Sequence, residues 1–427
     1  MDSGGAILRR QRLDCMTEFL LYINYRRLIR ESIRAFEAAH RLGYRVAVLG
    51  QALPPELACY VDEWRQCNPA SLVSLESAVE EIRKCIQIAG VVCFTETAVE
   101  ACAIVAAKLR LPGLPHASVS AVRDKSILRE RTQSVSGLTH RLLQNDSDLE
   151  EFISVAGLPV IVKPVNASGS TGIYLIREPA DLNVFHSTRK KIGNPSYDPT
   201  LRRETLTFLA ERYIGGQEVS VEGYVCGGEV TVVGITHKLT SDPYCLEVRH
   251  IFPADLDGEM RSMIEAKTKD YVLALCLDNA SFHLEGKYDG SQFALIEVAA
   301  RPGGDYIASH LVPLALHYDF YENLARIAVG TAPQPPPAPQ RVAGIHYVLA
   351  KQEGRLLGYR GLEAVLDHPW VEQAIVETSI GTHIVLPPSD FRLQRLIAVI
   401  STAPSQALLT KHLDWVSETI TPVFALE

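Results

Sequence analysis

Hydrophobic residues in the first third of the chain alternate between two arrangements. TEFLLYINY at residues 17–25 is a short run rich in aromatic and branched side chains, which predicts a strand. Leu28, Ile29, Ile33, Phe36 and Leu42 then recur at three- and four-residue intervals, the spacing of a helix. Gly43 ends that helix before a second buried run, YRVAVLG. GVVCF at 90–94 and the alanine-rich stretch 97–109 repeat the unit. Strand and helix in alternation predict a doubly wound parallel sheet. Its first turn lacks G-x-G-x-x-G, so a dinucleotide-binding role is unsupported.

From about Ala121 the texture changes. LPVIVKP and YLIRE flank a small-residue stretch, and TLTFLAERYI, QEVSVEGYV and EVTVVGITHK read as successive antiparallel strands. Residues 257–277 have helical spacing, SFHLEGKY and FALIEVAA form a strand pair joined by DGSQ, and a further helix ends near Val329. TAPQPPPAPQ suits neither helix nor central strand and reads as a stiff linker. The expected organisation is a strand–helix domain over 1–120 and a second domain over 121–330, with a small subdomain at about 145–214. A linker at 331–340 and a small α+β unit over 341–427 complete it.

Composition narrows the class of function. The 427 residues are 47% apolar and 22% charged, the profile of a globular protein with more than one core. Lys and Arg number 42 against 50 Asp and Glu, a formal charge of −8. Such a chain lacks the broad basic field that accompanies nucleic-acid or anionic-membrane binding. A local basic cluster for a small anion is still allowed. The nine cysteines are scattered without a C-x-x-C pair, so neither a zinc site nor a disulfide framework is expected. The N-terminus carries charges where a signal peptide needs apolar residues, which makes a reducing cytoplasm the expected location.

Three segments carry candidate chemistry. In LPVIVKPVNASGSTGIYLI a strand delivers Lys163, and Ser168, Gly169, Ser170, Thr171 and Gly172 follow as a small, flexible loop. Backbone N–H groups in such a loop can turn toward phosphate oxygens while the lysine adds a point charge. A polar hairpin loop has the same letters. AERYIGGQEVSVEGYV places Glu211, Arg212, Tyr213 and Ile214 before a Gly-Gly turn and Glu218 after it. An apolar step with free backbone groups suits an adenine edge and a carboxylate suits ribose hydroxyls, although solvated glutamates beside a hairpin are the plainer alternative. HLEGKYDGSQFALIEVAARPGGD sets Glu285 and Glu297 in adjacent strands among apolar neighbours, where a lone carboxylate is costly. A shared divalent ion removes that cost; neutralisation by nearby Arg and Lys is the alternative. Arg301 and an open Pro302-Gly303-Gly304 loop come next.

These blocks, in this order, resemble the ATP-grasp superfamily of carboxylate–amine ligases. The resemblance implies that Lys125 in RDKSILRER opens the nucleotide domain and that Lys163 and loop residues 168–172 hold phosphate. It assigns adenine contacts to Glu211, Arg212, Tyr213 and Ile214 and ribose to Glu218. Mg²⁺, with Mn²⁺ as a substitute, falls to Glu285 and Glu297, and Arg301 steadies the transferring phosphate with Lys163. The implied fold is α/β and α+β: an N-terminal doubly wound parallel-sheet domain, a central ATP-grasp domain and a small C-terminal lid. Ala299 departs from the family pattern E-x-N-x-R, removing an asparagine that helps hold a second Mg²⁺. EVAARPGGD and the opening YINYRRLIRESIRAFEAAHRLGYRV are similar to the amino-acid ligase branch.

The implied reaction is phosphorylation of a carboxylate by ATP and attack by an amine on the acyl phosphate, giving a dipeptide or γ-glutamyl amide. Two alternatives stay open: a relative of biotin carboxylase or carboxyaminoimidazole synthase that activates bicarbonate, and a catalytically silent nucleotide binder. Candidate substrate contacts are Arg249 and His250, for an α-carboxylate, Gly303 and Gly304, and Glu96 at the C-terminal end of the GVVCF strand. Thr95 is expected to cap a helix, and His283 to be a packed strand residue. The expected partners are small-molecule amino acids, with no nucleic acid and no membrane; a homodimer is compatible.

Overall fold

A computed structural model describes residues 18–167, 172–192, 207–242, 244–386, 390 and 394–425. The phosphate-loop candidates Ser168, Gly169, Ser170 and Thr171 lie outside the described residues. The N-terminal third forms a parallel sheet of four strands in the order Glu63–Gln66, Arg45–Gly50, Glu18–Ile23, Gln87–Val92. Its central strands are unbroken apolar runs because both faces are covered. Leu20, Tyr22, Val46 and Val48 pack toward the helices Ile29–Arg41 and Phe320–Ala328. Phe19, Leu21, Ala47 and Leu49 pack toward Leu72–Ile82 and Val99–Leu109.

A second, antiparallel sheet of four strands has the order His140–Leu143, Phe208–Arg212, Val160–Pro164, Tyr174–Ile176, with its own core around Phe152, Val162, Phe185 and Phe208. Phe208–Arg212, inside the span 145–214, belongs to this sheet and does not pair with Gln217–Cys226, the strand that follows it in the sequence. The chain crosses between sheets through the Gly-Gly turn. Gly216 has φ +96°, and a Cβ there would lie 2.2 Å from the carbonyl oxygen of Tyr288, so only glycine lets the chain pass.

The largest sheet has eight strands in the order Phe293–Ala299, Ala280–Tyr288, Gln217–Cys226, Glu229–Thr240, Glu247–Phe252, Val342–Leu349, Arg395–Ala403, Val371–Val376. The expected boundary at 331–340 is therefore not a break in the sheet. Val342–Leu349 pairs antiparallel with Glu247–Phe252, giving partners to backbone groups that an open edge would leave unpaired. The linker itself is tied down: the hydroxyls of Tyr224 and Tyr318 both donate to the carbonyl of Gln334.

The two faces of this sheet differ sharply. Val219, Val221, Ile235, Phe282 and Leu284 point to one side and form a core with Ile264, Tyr271 and Val272 of the helix Gly258–Ala274. The residues between them, Glu218, Ser220 and Glu222 on one strand and His283, Glu285 and Lys287 on the next, point to the other side. Among the described residues no helix is long and apolar enough to cross a membrane.

Candidate active site

A small cleft opens where the C-terminal end of the parallel sheet meets the large sheet and the helix Lys125–Ser136. Glu96, Arg123, Lys125, Asn166, Glu297 and Arg301 line it. Asp124 caps that helix, accepting from the backbone N–H groups of Ser126 and Ile127, and so fixes Lys125 at the first turn. The Lys125 ammonium lies 3.0 Å from Glu297 and donates to the carbonyl of Ala167, at the entrance to the small-residue loop.

Glu297 and Glu285 are cross-strand partners. Glu285 is held by Lys238 at 2.5 Å and by His283 Nε2 at 3.0 Å. Burial pushes its carboxyl pKa up, but Lys238 and His283 outweigh burial and hold it well below the usual range. His283 is buried on its strand, as expected, yet its two nitrogens bridge Glu222 and Glu285. Burial disfavours the imidazolium, but the two carboxylates win and raise its pKa to about 9. Both carboxylates are neutralised here by Lys238, His283 and Lys125; their oxygens are of the kind a hard divalent ion takes, and an ion at this pair would displace the Lys125 contact to Glu297. Ala299 lines the cleft and contributes a methyl group where an oxygen donor would extend that set.

Lys163 is buried, 2.8 Å from Glu211, and Arg129 binds the same carboxylate through Nε at 2.6 Å. Burial alone would raise the Glu211 pKa, but Arg129 and Lys163 bring it down to about 2. Glu211 thus points into an ion-pair cluster. Arg212 is exposed on the opposite face of its strand. The Tyr213 N–H donates to the carbonyl of Pro159, and Lys287 lies over the Tyr213 ring at 4.7 Å. Ile214 is half-buried beside it. Glu218 sits 3.8 Å from Lys238 and 3.7 Å from Lys287. Burial, with Glu247 and Glu285 nearby, outweighs Lys238 and lifts the Glu218 pKa to about 6.

Arg301 extends across the cleft to Glu96 at 2.8 Å, and Arg123 holds the other oxygen of that carboxylate. The two guanidiniums lower the Glu96 pKa against the upward push of burial. The loop after Arg301 is clamped from both sides. Arg26 donates to the carbonyls of Pro302 and Gly303, while the Gly303 N–H donates to Glu222 at 3.1 Å. A Cβ at Gly303 would lie 2.5 Å from that carboxylate oxygen, so glycine is required for the approach. A Cβ at Gly304 would come no nearer than 3.8 Å to Arg26.

Two expectations change. Arg249 pairs at 2.8 Å with Asp414 on the helix Gln406–Thr419 and not with the cleft, because it alternates faces with its neighbour His250. Thr95 makes no cap: its buried hydroxyl has no hydrogen-bond partner. His250 is fully buried with both ring nitrogens free of hydrogen bonds, 3.7 Å from Glu247 and 3.8 Å from Asp305. The latter two carboxylates are paired with Lys238 and Arg395. Sequence reasoning missed Arg123, Arg129, Glu222 and Lys238. Glu222 carried a signal, continuing an alternation of polar residues between apolar ones in QEVSVEGYV, whereas Lys238 follows Thr236 and His237 and carried none. Arg123 and Arg129 carried none beyond their closeness to Lys125.

Residues 156–310 match the model of the family described as ATP-grasp domain. The chain is 24% identical over 378 residues to uncharacterized protein y4rH of Sinorhizobium fredii (strain NBRC 101917 / NGR234), covering 87% of this chain and 76% of that one. It is 28% identical over 251 residues to alanine–anticapsin ligase of Bacillus subtilis, 54% of this chain and 52% of the relative, so it spans about half of that protein. The crystal structure of L-amino acid ligase from Bacillus licheniformis superimposes with a TM-score of 0.83 at 22% identity, over 96% of this chain and 100% of that one. Residues 156–310 are thus similar to the ATP-grasp domain family, and the fold over nearly the whole chain is that of the L-amino acid ligase structure.

Proposed function

We propose that this protein is an ATP-dependent ligase that joins two amino acids through an acyl phosphate. The observation that carries the reading is the convergence of Lys125, Arg301, Arg123 and Glu297 on one cleft at the end of a parallel sheet, with Glu285 opposite Glu297 on the neighbouring strand. The family match over 156–310 and the likeness to alanine–anticapsin ligase support the same reaction type.

In this reading Lys125 and Lys163 hold the triphosphate, and the backbone at Tyr213 and Ile214 receives the adenine. Glu218 accepts from the ribose hydroxyls. Glu285 and Glu297 would hold Mg²⁺, which when bound neutralises phosphate charge. A substrate carboxylate oxygen attacks the γ-phosphorus, the bond to the bridging oxygen breaks, and ADP leaves. The amine of the second amino acid, deprotonated, attacks the acyl carbon and phosphate departs with the bonding electron pair. No side chain becomes a covalent nucleophile. Arg301, released from Glu96 when an anion arrives, offsets negative charge on the transferring group. Glu96, still held by Arg123 through one oxygen, then has the other for a substrate ammonium, and His250 has two unpaired nitrogens for a second polar group.

ADP release screened over pairs of amino acids, with mass spectrometry of the products, tests the reading. Lys163→Ala or Glu297→Ala should abolish ADP release with the fold intact; turnover within a few-fold of wild type sinks the assignment. ADP release that depends on bicarbonate would favour the carboxylation alternative, and nucleotide binding with no ADP release for any pair the silent one.

A further inference from the structure

One buried cation beside the cleft has no part in the reaction described above. Arg129 lies one helical turn after Lys125 and its side chain is wholly buried. Its Nε donates to Glu211 Oε1 at 2.6 Å, and Nη2 donates both to Glu211 Oε2 at 3.2 Å and to the carbonyl of Ile296 at 2.7 Å. One guanidinium therefore ties together the helix of Lys125, the strand Phe208–Arg212 of the smaller sheet, and the strand Phe293–Ala299 of the larger one. Ile296 immediately precedes Glu297, so the tie reaches the backbone that carries a candidate metal acid.

Lys163 draws on the same carboxylate at 2.8 Å. Two full positive charges thus share one buried negative charge. The planar guanidinium engages both carboxylate oxygens, which the point-like ammonium cannot do. Lys163 is left with charge that Glu211 does not fully balance, and burial with Arg129 and Lys125 nearby lowers its pKa against the pull of Glu211. A phosphate arriving at Lys163 relieves that imbalance. Without Arg129, Glu211 and Lys163 would neutralise one another and the lysine would have less to offer an anion.

We propose that Arg129 is a positioning residue for the nucleotide: it occupies both oxygens of Glu211 so that the Lys163 ammonium is not spent on that carboxylate and can turn to phosphate, and it holds Lys163 in register with the Glu297 strand. The proposal rests on the ATP-binding part of the function proposed above. It does not need the ligase chemistry.

The test is ADP binding by calorimetry, with thermal melts, for Arg129→Met, Arg129→Lys and the double variant Arg129→Met/Glu211→Gln. Arg129→Met should weaken ADP binding by about tenfold or more. Arg129→Lys keeps a charge but loses the two-point grip and should fall between. The double variant removes the carboxylate that would capture Lys163, so its ADP affinity should return most of the way to wild type. A merely structural pin predicts the opposite, a double variant as weak as the single or weaker. Wild-type ADP affinity in Arg129→Met, no recovery in the double variant, or loss of binding only in proportion to the fraction unfolded would each overturn the proposal. A wild-type chain that binds ADP yet joins no amino acids sinks the ligase reading alone, and the double variant still decides the role of Arg129.

Discussion

The parallel sheet and the eight-stranded sheet solve burial in opposite ways. In the first, Leu20 and Tyr22 face one core and Phe19, Leu21 and Ile23 the other, so the central strand is apolar throughout. In the second, Val219, Val221 and Leu284 face a core while the opposite side carries buried Glu222 and His283 and half-buried Glu218 and Glu285. Charges survive there because each has a partner: Glu222 with His283, Glu285 with Lys238 and His283, Glu218 with Lys238 and Lys287. A buried charge without a partner costs several kcal/mol, so a strand face of this kind persists only as a network. The parallel sheet contributes to the site from its rim, through Glu96 and through Arg26 on the loop at Pro302 and Gly303.

Adjacent residues on one strand can break this contrast. Leu284 is fully buried on the apolar face, and Leu284→Ala should lower stability by about 2–5 kcal/mol while turnover per folded molecule stays near wild type. Denaturant unfolding beside ADP release on the folded fraction checks it. Glu285→Gln, one residue on, should do the reverse and reduce ADP release by on the order of a hundredfold. If the two variants lose stability and turnover in the same proportion, the division of labour between the faces is wrong.

A smaller effect concerns acid. Glu211 titrates at about 2 in the folded protein against an ordinary 4.5, so its ionised form is favoured by folding. Its contribution to stability is complete above pH 4.5 and drains away as pH falls toward about 2. Unfolding free energy measured across that window should drop more steeply for wild type than for Glu211→Gln; parallel curves would remove Glu211 from the buried network. The smallest effect is expected from Arg249→Ala. Its partner Asp414 is 54% exposed, so the pair should contribute roughly 0–1 kcal/mol and ADP release should change little. A large rise in the KM of an amino acid would return Arg249 to the substrate site.

Much of this was legible in the letters. Short-range periodicity placed the strand pair Ala280–Tyr288 and Phe293–Ala299 and the Asp257-capped helix, because each depends on neighbours within a few residues, whereas Lys125 was singled out only by the family resemblance. Glu285 and Glu297 followed as cross-strand partners from the short turn between their strands. For Phe208–Arg212 the sequence pointed two ways, to the small subdomain expected at about 145–214 and to a succession with Gln217–Cys226, because strand propensity leaves open which sheet an extended segment joins. The place of the tail did not follow: its strands read as a separate unit until Val342–Leu349 was seen to pair with Glu247–Phe252.

What the sequence determined alone was the local grammar: buried parallel strands, a half-polar antiparallel sheet, and acids and lysines at the spacing of one known fold. Tertiary structure decided which charges meet. Arg301 finds Glu96 across 205 residues and Arg129 finds the Ile296 carbonyl across 167, contacts that no periodicity encodes. The reason is physical. Hydrophobic spacing reports the face a residue takes on its own element, whereas a buried ion pair is set by where two elements dock, and that is fixed by the packing of the whole chain.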